Sequence, residues 1–283
     1  MTLAVTFWGT RGTLPSPGGG TVRHGGNTAC VSVRDDSGRT VVLDAGTGIR
    51  GLGRALPRSG ASRVDILLSH VHWDHIQGLP FFAPLYASGW EVHIHGPAPE
   101  GRSLAEVLDG QVEAAVFPVP RSQRTARVAI HQLAPGEAPT VPGFRIRTCA
   151  LSHPGGAVGY RLGAVRGGPE VAYLTDNELG AGGASRVPAG WRDAVREFAA
   201  GASLLVHDAM YTPAQAAARA GWGHSSVLEA VELGVEAGVG ELALFHHDPD
   251  HDDAQVDALV ELARTTAPAL MIGAAAEGTT ITR

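Results

Sequence analysis

Apolar and polar positions alternate from Leu3 to Trp8, with β-branched residues among them, which predicts a strand that breaks at Gly9-Thr10-Arg11-Gly12 and runs into a Pro/Gly-rich loop through Gly20. Thr28–Arg34 and Thr40–Leu43 predict two further strands joined at Asp36-Ser37-Gly38, a turn signal. Val64–Leu68 and Glu91–His95 read as buried strands, and Val128–Leu133, Phe144–Leu151, Val158–Val165 and Val171–Thr175 extend the series. The stretch Ile76–Leu85 looks helical. The last third changes rhythm. Strand Leu204–His207, helix Ser225–Ala237, strand Leu242–Phe245 and helix Ala254–Ala267 alternate, followed by short strands at Leu270–Ile272 and Thr279–Thr282. No linker-like composition break and no fixed repeat interrupts the chain, so one domain over residues 1–283 is expected, with two packed sheets and helices outside them.

Length and composition permit a large core: 283 residues, 44% hydrophobic and 18% charged. The 22 basic residues are all arginine, which excludes a Schiff-base lysine and a phosphate-loop lysine. A net charge of −6 disfavours long nucleic acid as a partner. Cys30 and Cys149, the two cysteines, are too few for a disulfide framework or a cysteine zinc site. With no export segment and no run long enough for a membrane span, a cytoplasmic protein is expected; the sequence is compatible with a homo-oligomer.

The chemistry gathers after Val64–Leu68, in Ser69-His70-Val71-His72-Trp73-Asp74-His75. Residues i and i+2 of an extended segment point the same way, so His70 and His72 can face one point, and at the turn into a helix Asp74 and His75 can join them. Imidazoles and a carboxylate at this spacing suit zinc, and manganese or iron as well. In this motif the chain resembles the metallo-β-lactamase superfamily. Further similar pieces are Leu43-Asp44-Ala45-Gly46-Thr47-Gly48, Ser152-His153-Pro154, Thr175-Asp176-Asn177-Glu178, Gly223-His224-Ser225-Ser226 and Leu242-Ala243-Leu244-Phe245-His246-His247. The resemblance implies an α/β fold, an αββα sandwich of two mixed sheets flanked by helices, with two divalent metal ions at one edge. It also implies that His70, His72 and His153 hold one metal, that Asp74, His75 and His246 hold the other, and that Asp176 and a hydroxide nucleophile bridge them. His247 also ends the last strand before it, but family spacing prefers His246.

Two divalent cations contribute +4, two carboxylates −2 and a hydroxide −1, which leaves +1 and favours an anionic substrate. A phosphodiester fits, because a metal pair can stabilise both attacking and leaving oxygens. Gly223-His224-Ser225-Ser226 and Leu205-Val206-His207-Asp208-Ala209 resemble the phosphodiesterase branch that contains ribonuclease Z and small cyclic-nucleotide phosphodiesterases. That resemblance gives His224 a catalytic part at the phosphate, beside Asp74, and makes His207 and Asp208 residues that orient ligands. Only 22 residues, Pro154–Thr175, lie between His153 and Asp176, too few for the substrate-grasping arm of ribonuclease Z. The extra structural zinc site of the phosphodiesterase of phosphonate breakdown is not recognisable. The expectation is therefore a dinuclear hydrolase of a small phosphodiester such as a cyclic nucleotide. A ribonuclease Z-like nuclease and a lactone or ester hydrolase are the alternatives. Arg11, Arg23 and Asn27, in a Gly-rich segment, are candidate substrate contacts. His93 and His95 alternate on one strand without an acidic neighbour in sequence and read as structural.

Overall fold

A computed structural model describes residues 2–180 and 189–283. Thirteen strands occur among the described residues: β1 Leu3–Gly9, β2 Cys30–Asp35, β3 Thr40–Leu43, β4 Arg63–Leu67, β5 Glu91–Gly96, β6 Arg127–Gln132, β7 Phe144–Leu151, β8 Ala157–Ala164, β9 Glu170–Leu174, β10 Leu204–Asp208, β11 Glu241–Phe245, β12 Met271–Ala274 and β13 Thr280–Thr282. The helices are α1 Ile49–Ala55, α2 Trp73–Ile76, α3 Leu104–Gly110, α4 Trp191–Ala199, α5 Pro213–Ala218, α6 Val227–Glu236 and α7 Asp253–Thr266.

The strands form two mixed sheets, ordered β13-β1-β2-β3-β4-β5-β6 and β12-β11-β10-β9-β8-β7. In the first sheet β3, β4, β5 and β6 run parallel; in the second β9, β10, β11 and β12 do. Alternation sorts their side chains into layers. Leu3, Val5 and Phe7 of β1, Val41 and Leu43 of β3, Val171 and Tyr173 of β9 and Phe245 of β11 meet between the sheets. Val64 and Ile66 of β4 face outward instead, against Leu52 of α1 and Leu104 of α3. Across the molecule, Leu205 and Leu244 pack on Val231 of α6 and Val260 of α7. This is the expected αββα sandwich.

Most predicted elements form with ends displaced by one or two residues, but Ile76–Leu85 does not form one helix. The chain makes a single turn, α2, and then two 3₁₀ turns at Leu79–Phe81 and Ala83–Tyr86. Pro80 and Pro84 lack the N–H that a continuing helix requires. Gly78 is fixed by close approach: a Cβ there would stand 2.0 Å from the Gly46 carbonyl oxygen. The segment between His153 and Asp176 is β8, a turn and β9, an antiparallel pair with no further excursion. No helix is long and apolar enough to cross a membrane among the described residues.

Candidate metal centre

Because β3, β4, β7, β9, β10 and β11 end at one edge of the sandwich, the residues following them converge. Two groups of ligand-type side chains share no member, His70, His72 and His153, and Asp74, His75, Asp176 and His246, while His224 forms overlapping groups with His153 and Asp176 and with Asp208 and His246. Within each group the ligand atoms lie within 4.8 Å of one another. Asp176 stands between the groups. Its Oδ2 is 3.6 Å from His70 Nε2 and 3.5 Å from His153 Nε2, while its Oδ1 is 3.0 Å from His75 Nε2 and 3.1 Å from His246 Nε2. Asp74 Oδ2 lies 3.2 Å from His75 Nε2 and 3.3 Å from His246 Nε2. His72 Nδ1 is 3.0 Å from His153 Nε2.

Surrounding groups set the ring orientations. Asp44 accepts from His75 Nδ1 at 2.9 Å, from the Ser69 amide and hydroxyl, and from the Tyr173 hydroxyl. His153 Nδ1 donates to the Gly223 carbonyl at 2.9 Å, and Glu178 holds that loop by accepting from the Gly221 and Gly223 amides. Each contact leaves the opposite ring nitrogen aimed inward, the arrangement that ligating histidines need. His70 Nε2 is buried without a hydrogen-bond partner, a costly state for bare protein that fits a metal ligand.

Burial raises the Asp74 and Asp176 carboxyls, yet facing imidazoles, His75 for Asp74 and His246 for Asp176, hold both well below the usual carboxylate range. Burial drives His70 well below the ordinary histidine value. Burial also opposes charge on His75, but Asp176, Asp74 and Asp44 push it well above. His247 is turned away: its Nε2 meets the Ala275 carbonyl at 2.9 Å, and burial pushes it down to about 3.

His224 stands beside both groups, its ring 5.0 Å from that of His246 and 5.2 Å from that of His153. Its Nδ1 donates to Asp208 at 2.7 Å. Burial disfavours a charged ring there, but Asp208 outweighs it and raises His224 to about 9. Helix α6 is capped by Ser226 through a capping box with Glu229, so His224 is not spent on the helix end. His207, fully buried, contacts Asn177 and the Asp208 carbonyl.

These groups open into a cavity of about 460 Å³ whose wall includes His72, Trp73, Tyr211, Arg219, Trp222 and His224. Arg219 lies over the rings of Tyr211 and Trp222, at 5.1 and 5.9 Å from their centroids. Arg219, Trp73 and Trp222 have no sequence signal that separates them from ordinary surface residues.

Arg11, Arg23 and Asn27 are absent from this cavity wall. Arg11 is fully buried, its Nε donating to the Gly25 carbonyl and its Nη1 to those of Asp248 and His251. Arg23 pairs with Asp257 and Asp253. Asn27 donates to Glu277 from its amide and its side chain. Backbone carbonyls and neighbouring carboxylates thus engage these residues away from this cavity, while Arg11 Nη2 is buried without a hydrogen-bond partner.

Residues 39–247 match the family described as Beta-lactamase superfamily domain. Ribonuclease Z of Bradyrhizobium sp. (strain ORS 278) is 27% identical over 316 aligned positions, covering 94% of this chain and 95% of that protein. The metallo-beta-lactamase fold protein YhfI from Bacillus subtilis superposes with a TM-score of 0.74 at 20% identity, covering 100% of this chain and 99% of that one. A diphosphatase from the PhnP family superposes with a TM-score of 0.69 at 21% identity, covering 100% and 98%.

Proposed function

This chain belongs to the beta-lactamase superfamily, and on that premise we propose that it is a hydrolase that uses two divalent cations, zinc first among them, to cleave a small phosphodiester such as a cyclic nucleotide. What carries the reading is the division of Asp176, one carboxylate oxygen toward each group of histidines. His70, His72 and His153 would hold one cation and Asp74, His75 and His246 the other, with Asp176 shared. Cations so held would stabilise charge on the phosphoryl oxygens and bring a water close to neutral acidity.

The chain's own residues do the rest. Asp44 and the Gly223 carbonyl fix the tautomers of His75 and His153. His224, kept protonated by Asp208, donates from its other ring nitrogen to the departing oxygen. Arg219 brings positive charge to the wall against which an anion rests. A cavity of about 460 Å³ suits a small molecule, and the β8–β9 hairpin stands where a grasping arm would have to begin. The reading takes residues 1–283 as one hydrolase domain working in the cytoplasm, where two free cysteines are at home.

A ribonuclease Z-like nuclease is the second reading, favoured by likeness to that enzyme over nearly the whole chain. The test is a side-by-side assay of the metal-loaded protein on 2′,3′- and 3′,5′-cyclic nucleotides, a chromogenic diester, a lactone and a precursor transfer RNA. Turnover of small diesters is expected. Position-specific cutting of the RNA with negligible turnover of small diesters would overturn the choice, and a protein that retains no more than one metal equivalent would sink the dinuclear centre.

A further inference from the structure

A second histidine cluster lies away from the cavity, on the far strands of the first sheet. His93 and His95 alternate onto one face of β5, and the parallel register sets His95 opposite His131 on β6. Three imidazoles from two strands therefore meet. His93 Nδ1 is 3.1 Å from His131 Nε2, with the rings 4° from parallel, and His95 stacks on His131 at 4.4 Å. Each ring offers a nitrogen, and the three lie within 4.8 Å of one another. Nitrogens bound to one zinc at about 2.0–2.1 Å stand roughly 3–3.5 Å apart, so the His93–His131 pair is already close to the spacing a shared cation requires.

The fold adds a carboxylate from the neighbouring strand β4. Asp65 Oδ1 stands 3.1 Å from His95 Nε2. Arg63 holds both oxygens of Asp65 at 2.9 and 3.0 Å and also reaches Glu91, which pairs with Arg127. Two carboxylates and two guanidiniums balance in formal charge, with Arg63 the strongest single charge acting at His93. Burial, reinforced by Arg63 at His93 and by His95 at His131, lowers both of these imidazoles, which are therefore neutral near pH 7, the form that binds metal. His95 is buried, His93 half-buried and His131 exposed, which gives a cation a route from solvent.

We propose that His93, His95 and His131 form a further divalent-metal site, of the zinc, nickel or copper class that imidazole ligands favour, clamping β5 to the edge strand β6. None of the three lines the main cavity. The clamp would act on sheet stability and leave hydrolysis untouched.

Zinc is the probe. Apo-protein is equilibrated with micromolar zinc, freed of unbound metal, and analysed for zinc content beside the His93→Asn/His131→Asn variant and the single exposed change His131→Asn. The double variant should hold one equivalent less than wild type while its diesterase turnover stays within about twofold. Zinc-dependent protection of the wild-type thermal midpoint should shrink in both variants. Equal zinc content in wild type and both variants would overturn the proposal. A loss of zinc accompanied by proportional loss of turnover would also overturn it, because the cluster would then belong to the hydrolytic centre. Reading a difference between proteins keeps this test separate from the number of ions at that centre.

Discussion

Replacing His224 by alanine is expected to lower kcat on an alkyl phosphodiester by about 10²–10⁴-fold, the range over which a positioned general acid operates. Three structural facts set the expectation. The ring lies beside both ligand groups, Asp208 raises it to about 9, and Ser226, not His224, caps α6. Metal content and fold should therefore survive the change. Asp208→Asn should act in the same direction, since burial, which disfavours the proton, is then opposed only by the weaker pull of Asp176 and Asp74. The assay compares turnover of a substrate with a basic alkoxide leaving group and of one with a nitrophenolate, which departs with less protonation. A large loss on the first and a small loss on the second is the signature of a missing proton donor. An equal loss on both would remove the acid role. Loss of a metal equivalent in the variant would make His224 a ligand, and unchanged turnover on both substrates would refute the reasoning altogether.

Asp176→Asn should release both cations, whereas His72→Ala should weaken one site more than the other; metal analysis at graded chelator concentration separates the two patterns. Gly223 has φ +91°, and a Cβ there would stand 2.2 Å from His153 Nδ1, so Gly223→Ala should displace His153 and loosen the first group of ligands. Gly12→Ala, whose Cβ would stand 2.5 Å from His246, should loosen the second; the same metal analysis reads both, and retention of full metal by each would show that the rings are not so tightly placed. Burial pulls the Glu170 carboxyl up, but hydrogen bonds from Arg145 and Arg161 win and hold it below its ordinary value. Its stabilising contribution is thus present above the unfolded carboxylate value of about 4.3 and is lost as pH falls through the lower folded value. Denaturation midpoints of wild type and Glu170→Gln should therefore converge on acidification from neutral pH; a constant gap would refute the pairing.

His70-Val71-His72-Trp73-Asp74-His75 was legible because the convergence of these side chains depends on local backbone alone, two residues at strand period and two at a helical turn. Arg11 was not. An arginine in a glycine-rich loop reads the same whether its guanidinium meets a phosphate or a carbonyl. Here the decision comes from Asp248, 237 residues away, whose loop folds back to cover it. Likewise the contact of Asp65 with His95 comes only through strand pairing, which the residues around His93 and His95 do not reveal. The apolar periodicity of Ile76–Leu85 reads as a helix, and Ile76, Leu79, Phe82 and Leu85 do enter the core, whereas Phe81 stays 57% exposed. What it cannot register is the missing amide of Pro80 or Pro84, which turns the same buried face into 3₁₀ turns.

Backbone conformation explains why the centre forms where it does. Among the described residues, the non-glycine positions with positive φ are Thr13, Asp44, Asp176 and His246. Three of these follow the ends of β3, β9 and β11 directly or one residue on, and the Thr13 amide donates to Asp74 at 2.8 Å. A left-handed residue disfavours folding by about 1–3 kcal/mol. It also turns the chain sharply off the strand, so that the side chain points across the sheet edge rather than along a face. Parallel strands make this productive, because they bring several carboxyl-terminal ends to one edge, a disposition that antiparallel hairpins alone cannot give. Asp44, Asp176 and His246 thus bear local strain at the points where two sheets, each contributing parallel strand ends, bring polar side chains together. Substitutions that relieve this strain, glycine at any of the three included, would remove the group for which the conformation is held.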